Sequence, residues 1–510
     1  MDFGLIYFLG LPVLFSLFFL VPYILSPLRK YPGPFLAGLS RFWLAKQSRL
    51  GKRSLVVHDL HAKHGKFVRI GPNEVSIADP TALPIVYGHG SHASIKSDFY
   101  DAFVSIHRGL FNTRDRTDHT RKRKMVSHTF SARSVREFEP YIAETVRVLL
   151  KKWDALCANA AKTEGHLKGY AEIETLNWYN ALAFDVIGDL AFGKPFGMLE
   201  HDAADIVQVT TEDGKTIYEP AVEILNDRGE FSATMGSLPV IIRPYMKYID
   251  PWFANGATAV KNLAGISRTC VAERLDQPSG DRKDILSHLI VAKDANGNPI
   301  SRDELTAEAL TNLIAGSDTT SNSSCAIMFY IVSNPRVHKK LQAELDEAFS
   351  SRGVDGVFDY DEVKELKYLD ACINEALRRH STSGMGLPRI MLKDTEVCGE
   401  HFSAGTILSV PSYTIHHLDE VWGDPWAYRP ERWLESNASE LEKSLNIFSF
   451  GPRSCVGKNV AMMELSVFIA TLVYRYDFIL SDPNMKELEV AEGFLRKPLG
   501  CKMGIKRRQV

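Results

Sequence analysis

Cysteine is scarce in this 510-residue chain and never paired: Cys157, Cys270, Cys325, Cys372, Cys398, Cys455 and Cys501 share no Cys-x-x-Cys spacing. A disulfide framework and a finger-type zinc site are therefore excluded, and a reducing compartment suits such usage. An excess of one charge is missing too. Sixty Lys and Arg stand against 62 Asp and Glu, a formal net charge of −2, which gives no footing for nucleic acid. No internal repeat, low-complexity linker or long polar gap divides the chain. Length alone would suggest roughly two to four domains, but the pattern reads as one large body. Nor does any Gly-x-Gly-x-x-Gly follow a strand, so a nicotinamide has no site of its own.

One stretch lacks charge altogether. "FGLIYFLGLPVLFSLFFLVPYILSPL" runs from Phe3 to Leu28 and is followed by Arg29 and Lys30. Roughly 20 apolar residues suffice to cross a bilayer, and neither a basic start nor a small-residue cleavage site marks a signal peptide. A single-pass transmembrane anchor is expected over 3–25, kinked at Pro12 and Pro22. The basic residues after it keep the rest of the chain cytoplasmic. Pro32-Gly33-Pro34 predicts a stiff, proline-rich hinge over 26–40, and a single body fills 41–510.

Within that body, "HGKFVRIGPNEVSIAD" alternates like a strand pair around Gly71-Pro72. Helical periodicity then dominates, over 121–130, 139–156, 178–191, 257–275, 306–333, 335–349, 368–379 and 456–476. Pro140 and Pro335 fall where a first turn tolerates proline. Short strands fit 395–410 and the C-terminus, so the fold class is mostly α with small β-sheets.

Among the cysteines, only Cys455 has telling neighbours, in "FSFGPRSCVGKNVA". A thiolate serves as a nucleophile, a zinc ligand or an axial iron ligand. No hydrolase signature surrounds Cys455, and no further soft ligands lie at zinc spacing. Haem needs only one protein ligand, because the porphyrin supplies the in-plane donors. Gly451 and Gly457 allow a tight turn near a flat macrocycle, and the following helix start and its N–H groups stabilise a thiolate. Arg453 can pair with a propionate, and Phe448 can shield the proximal face.

The set Phe448, Gly451, Arg453, Cys455, Gly457 resembles the haem loop of the cytochromes P450, Phe-x-x-Gly-x-Arg-x-Cys-x-Gly. That resemblance implies a single haem domain behind the anchor, haem b held by the Cys455 thiolate, and three supporting elements. Glu375 and Arg378 of "NEALRR" lie on one helix face and, with Arg432 of "YRPERW", match the family's buried network beneath the loop. "LIAGSDTTSNSS" places Ala315, Gly316, Asp318, Thr319 and Thr320 inside the longest helix, where such residues weaken helical structure. The resemblance implies a local opening there, with Thr319 holding the oxygen-side network and Asp318 relaying protons. His119, Arg123 and Arg389 are the expected propionate partners, with His119 standing where the family more often has tryptophan.

Longer runs, among them "KSDFYDAFVSIHRGLFNTRDR" and "HSTSGMGLPR", resemble the fungal benzoate para-hydroxylases. The resemblance implies hydroxylation of a small aromatic substrate, benzoate to 4-hydroxybenzoate, with O2 and electrons from NADPH through a P450 reductase. Oxidation of a phenol or benzyl alcohol in fungal secondary metabolism is one alternative, and a reductase-independent haem-thiolate isomerase or peroxygenase is another. Phe99, Phe103 and Ile106 could line an aromatic slot, with Ser381 and Thr382 donating hydrogen bonds. His107 or Arg108 could meet the substrate carboxylate, although a propionate or surface role reads better for each. Lys122, Arg123, Lys124 and Lys458 offer a docking face for an acidic redox partner, on the endoplasmic-reticulum membrane.

Overall fold

The computed structural model describes residues 16–88, 94–160, 165–276, 282–294 and 296–509. Its axis is the helix Arg302–Val332, begun by Ser301, whose side chain accepts the Glu304 N–H at 3.1 Å, with Asp303 and Glu304 complementing the helix dipole in the first turn. From Ser321 to Phe329 every residue is buried, as a helix apolar or small on all sides must be. Thr175–Phe192 packs along it, itself buried at nearly every position. At Gly316 the two helices approach too closely for a larger residue: a Cβ there would stand 2.7 Å from the Ile187 side chain. Lys367–His380 and Lys458–Arg475 complete the helices around the axis.

The predicted helices are present with ends shifted by a few residues, as Arg116–Ser127, Glu139–Asn159, Thr175–Phe192, Pro251–Asp276, Arg302–Val332, Pro335–Ala348, Lys367–His380 and Lys458–Arg475. Helices Arg53–His64 and Ala221–Ser237, and the hairpin of Ile206–Thr210 with Thr216–Pro220, had no clear periodic signal. Inside the long helix the expected opening is absent. The backbone is helical through 315–320, and Ser317 and Thr319 turn their hydroxyls back onto the Leu313 and Ala315 carbonyls at 2.7 and 2.6 Å. Gly316 thus serves helix–helix approach.

A five-stranded sheet takes the order Phe67–Gly71, Glu74–Ile77, Ile407–Ser409, Arg389–Met391, Ser94–Lys96. Its last pairing sets Lys96 directly opposite Arg389. A second sheet joins Tyr476–Leu480, Lys502–Arg507 and Ala171–Glu174.

Among the described residues no helix is long and apolar enough to cross a membrane. The expected span 3–25 falls largely on residues outside those described; Ser16–Leu20 is a π-helical turn and Val21–Leu25 a short α-helix opened by Pro22. The proline-rich segment is extended at Gly33-Pro34 but docked: Tyr31 stacks on Phe402 at 5.4 Å, the Arg69 N–H donates to the Pro32 carbonyl at 2.8 Å, and Phe35–Leu39 turns into a helix.

Candidate active site

Tight backbone geometry shapes the cysteine loop. Gly451 has φ +70°, and a Cβ there would lie 2.0 Å from the Tyr87 carbonyl oxygen, so only glycine fits. The Cys455 N–H closes the loop onto the Phe448 carbonyl at 2.8 Å, and Gly457 stands at the N-cap of Lys458–Arg475. Replacing Gly451 by alanine is expected to cost more than about 1–3 kcal/mol, since backbone strain of that size adds to the clash. Chemical denaturation measures it; an unchanged midpoint would contradict this reading of the turn.

Burial pushes the Cys455 thiol up, while the Gly457 N–H, then Arg123 and Lys458, pull it back toward thiolate. Protein atoms desolvate the sulfur, yet the residue is exposed. It therefore opens on a space inside the fold, and Ala315 in the middle of the long helix is exposed as well.

Beside the loop gather four cations. Lys96 and Arg389 come side by side from the sheet, Arg123 from Arg116–Ser127 and Arg453 from the loop. Burial, then Arg389, Arg453 and Arg123, drives the Lys96 ammonium well below its usual range. Burial followed by all four cations lowers His119 to about 3, which makes it a neutral imidazole. Arg123 donates to the Ser454 carbonyl at 2.5 Å, Arg453 to those of Thr113 and Arg114 at 2.6 and 3.0 Å, and Arg389 to the Tyr100 hydroxyl at 2.7 Å. Among the described residues none of the four forms an ion pair, and Arg389 keeps a buried Nη2 without a partner. Like charges set directly across a sheet repel, so the cluster suits a dianion. The two propionates of haem would fit it, and the neighbouring Cys455 sulfur would serve as the protein ligand to the iron.

Beneath the loop the expected network is complete. Both Glu375 oxygens accept from Arg378, at 2.9 and 2.8 Å, while Arg432 Nε and Trp433 Nε1 each donate at 3.0 Å. Arg378 and Arg432 also donate to backbone carbonyls, Arg378 to those of His416 and Ala427 at 2.6 and 3.2 Å and Arg432 to those of Trp422 and Asp424 at 2.6 and 2.9 Å. His416 carries the support onward: its Nε2 accepts the Asn446 N–H at 2.8 Å, which leaves Nδ1–H to donate to Ser381 Oγ at 2.7 Å. Burial lowers the His416 imidazole to about 3, consistent with that neutral tautomer.

Ser381 is thus a strut of this network, since its hydroxyl also donates to the Arg378 carbonyl at 2.8 Å. Thr382 meets Ser323 of the long helix at 3.0 Å. Phe99 and Phe103 come together, with ring centroids 5.2 Å apart, but both are fully buried. The half-buried rings of that cluster are Phe111 and Phe494, at 5.5 and 5.0 Å from Phe103. Ile106 packs against the main core instead. Lys122 is wholly buried between Glu304 and Glu308, held by its contacts there, which removes it from the expected docking face; Lys124 and Lys458 are exposed.

On the long helix, Asp318 accepts from Asn322 Nδ2 at 2.9 Å and faces Lys497 at 3.9 Å. Burial raises its pKa, with Lys497 the main counterweight. Lys96, Tyr100 and Phe111 lie within the run from Lys96 to Arg116, but the sequence does not single them out there, nor does it single out His416 and Phe494.

The family model described as Cytochrome P450 matches residues 32–505. Over 513 aligned residues the chain is 48% identical to a benzoate 4-monooxygenase of Aspergillus niger, covering 98% of this chain and 97% of that protein. It is 30% identical to a cytochrome P450 monooxygenase of Penicillium roqueforti over 94% of this chain and 88% of that one. A cytochrome P450 monooxygenase of Penicillium aethiopicum is also 30% identical, with 94% of each chain covered.

Proposed function

Because the chain belongs to the cytochrome P450 family, a family of haem-thiolate monooxygenases, we propose that its reaction is the hydroxylation of benzoate to 4-hydroxybenzoate. The observation that carries the chemistry is Cys455, exposed within the fold beside four cations that lack a carboxylate. The choice of substrate rests on the 48% identity to the Aspergillus niger benzoate 4-monooxygenase.

Lys96, Arg123, Arg389 and Arg453 would hold the propionates, with His119 among them, and Cys455 the iron. Haem so bound supplies dioxygen activation, placing one oxygen atom in the substrate and the other in water. Gly457 N–H and Arg123 offset part of the burial that favours the Cys455 thiol, and so favour the thiolate that iron would bind. Asp318 is buried enough to hold a proton more readily than an ordinary carboxyl, while Lys497 keeps the anion accessible. A carboxyl balanced in this way can pass protons inward. Thr319, one residue on, is fixed by its bond to the Ala315 carbonyl and keeps its oxygen lone pairs free to accept.

Electrons come from a redox partner, an NADPH-dependent P450 reductase docking on the face of Lys124 and Lys458. Membrane attachment through the N-terminal segment is part of the same proposal. Its support is an apolar surface that continues past that segment: Ile241, Tyr248 and Ile249 are 80, 77 and 70% exposed, and Pro239 lines one hollow with Phe18, Phe19 and Tyr23.

Turnover tests the substrate. With reductase and NADPH, benzoate should give 4-hydroxybenzoate at a higher kcat/KM than phenol or benzyl alcohol give their products. Preference for either neutral compound would overturn benzoate as substrate.

A further inference from the structure

The cations nearest the predicted slot in sequence are already committed. Arg108 pairs with Asp101 at 2.8 Å and donates to the Asn112 carbonyl at 3.1 Å, and His107 is exposed. Arg228, from the helix Ala221–Ser237, is different. It is only 7% exposed, it forms no ion pair among the described residues, and its Nε has no hydrogen-bond partner. Its Nη2 donates to the Phe103 carbonyl at 3.1 Å, and the guanidinium lies 5.3 Å from the centre of the Phe103 ring. Burial lowers its pKa only to about 10, so it stays charged, and Asp318 is the carboxylate that it feels. Asn226, two residues earlier on the same helix, accepts from Lys497 at 2.7 Å, and Lys497 faces Asp318 at 3.9 Å, so this stretch of the helix lies near the part of the long helix bearing Thr319. Asp318 is shared with the partly buried Lys497, so two cations face one carboxylate.

We propose that Arg228 is the specificity-determining residue that binds the carboxylate of the aromatic acid, while the ring rests against the half-buried Phe111 and Phe494. The inference depends on the reading of the chain as a benzoate hydroxylase. A buried guanidinium with no direct ion pair, sharing one distant carboxylate with a lysine, is costly. A carboxylate would supply the missing charge and the acceptor for Nε–H, in the two-pronged geometry that arginine favours. The aromatic wall adds edge-on ring contacts. A neutral analogue of the same shape leaves Nε–H unpaired, and a site built around a buried donor rejects such analogues strongly.

Equilibrium binding of benzoate and benzamide to the haem-loaded full-length protein tests the proposal. Wild type binds benzoate more tightly. Arg228→Gln should weaken benzoate by about a hundredfold, the scale for breaking a buried charge pair, and change benzamide by less than about threefold, a surface-like perturbation. Arg228→Gln that folds with wild-type haem absorption and still prefers benzoate as wild type does overturns the anchor alone. Wild type preferring benzamide overturns the benzoate reading itself. Arg228→Lys keeps the charge but not the fork and guards against a misfolded glutamine variant. It should lose at least about fivefold for benzoate with benzamide unchanged, and equal losses for both ligands would assign Arg228 to packing.

Discussion

Cys455→Ala abolishes hydroxylation and leaves the fold standing. The residue is exposed within the fold and alanine keeps its backbone and Cβ, so loss of the one sulfur atom is expected to shift stability by less than about 1 kcal/mol, toward the small end of single-residue changes. What disappears is the sulfur whose thiolate form Gly457 N–H, Arg123 and Lys458 favour against the effect of burial. Turnover of benzoate should fall below detection, and the absorption band of thiolate-bound haem should vanish with it, while circular dichroism stays as in wild type. A variant that keeps both the band and the product would remove Cys455 from the site.

Glu375→Gln fails in the opposite way. Glu375 sits at zero exposure between Arg378 and Arg432, also buried, and also accepts from Trp433. The amide cannot neutralise two guanidinium groups, and removing one partner from a buried ion cluster costs about 3–5 kcal/mol. Against a whole-protein stability of about 5–15 kcal/mol, that is enough to loosen the loop. The strain passes through Arg378, the His416 carbonyl and the Asn446 N–H. The expected result is poor haem retention and a lowered unfolding midpoint, read by denaturant titration. Wild-type stability would show that the cluster is ornamental. The two variants thus separate chemistry from scaffold: one keeps the fold without the reaction, the other loses the reaction through the fold.

The sequence made part of this site legible for a physical reason. Cys455, Gly451 and Arg453 lie within one loop, and Glu375 and Arg378 within one helical turn, so local spacing alone announces them. The long helix was equally plain, since its small and apolar residues run through several turns. Pairings made by topology were not legible. Lys96 reaches Arg389 only because strand Ser94–Lys96 adds to the edge of Arg389–Met391. Phe494 meets Phe103 across most of the chain, and Arg228 lies on a helix whose Gly229 and Gly236 blur its period. Ser381 misled because a hydroxyl beside a motif looks available until its partners, the Arg378 carbonyl and His416, are seen. Gly316 and its polar neighbours suggested a break in the helix. In the fold the hydroxyls satisfy carbonyls of the preceding turn and the glycine admits Ile187.

Oxygen tracing tests the central claim most directly. The protein, its reductase, NADPH and benzoate are incubated under isotopically heavy dioxygen in ordinary water, and the product mass is read. A haem-thiolate monooxygenase predicts 4-hydroxybenzoate carrying a single heavy oxygen, formed only with NADPH. Product with no heavy oxygen, or formed from peroxide alone at an equal rate, would contradict it.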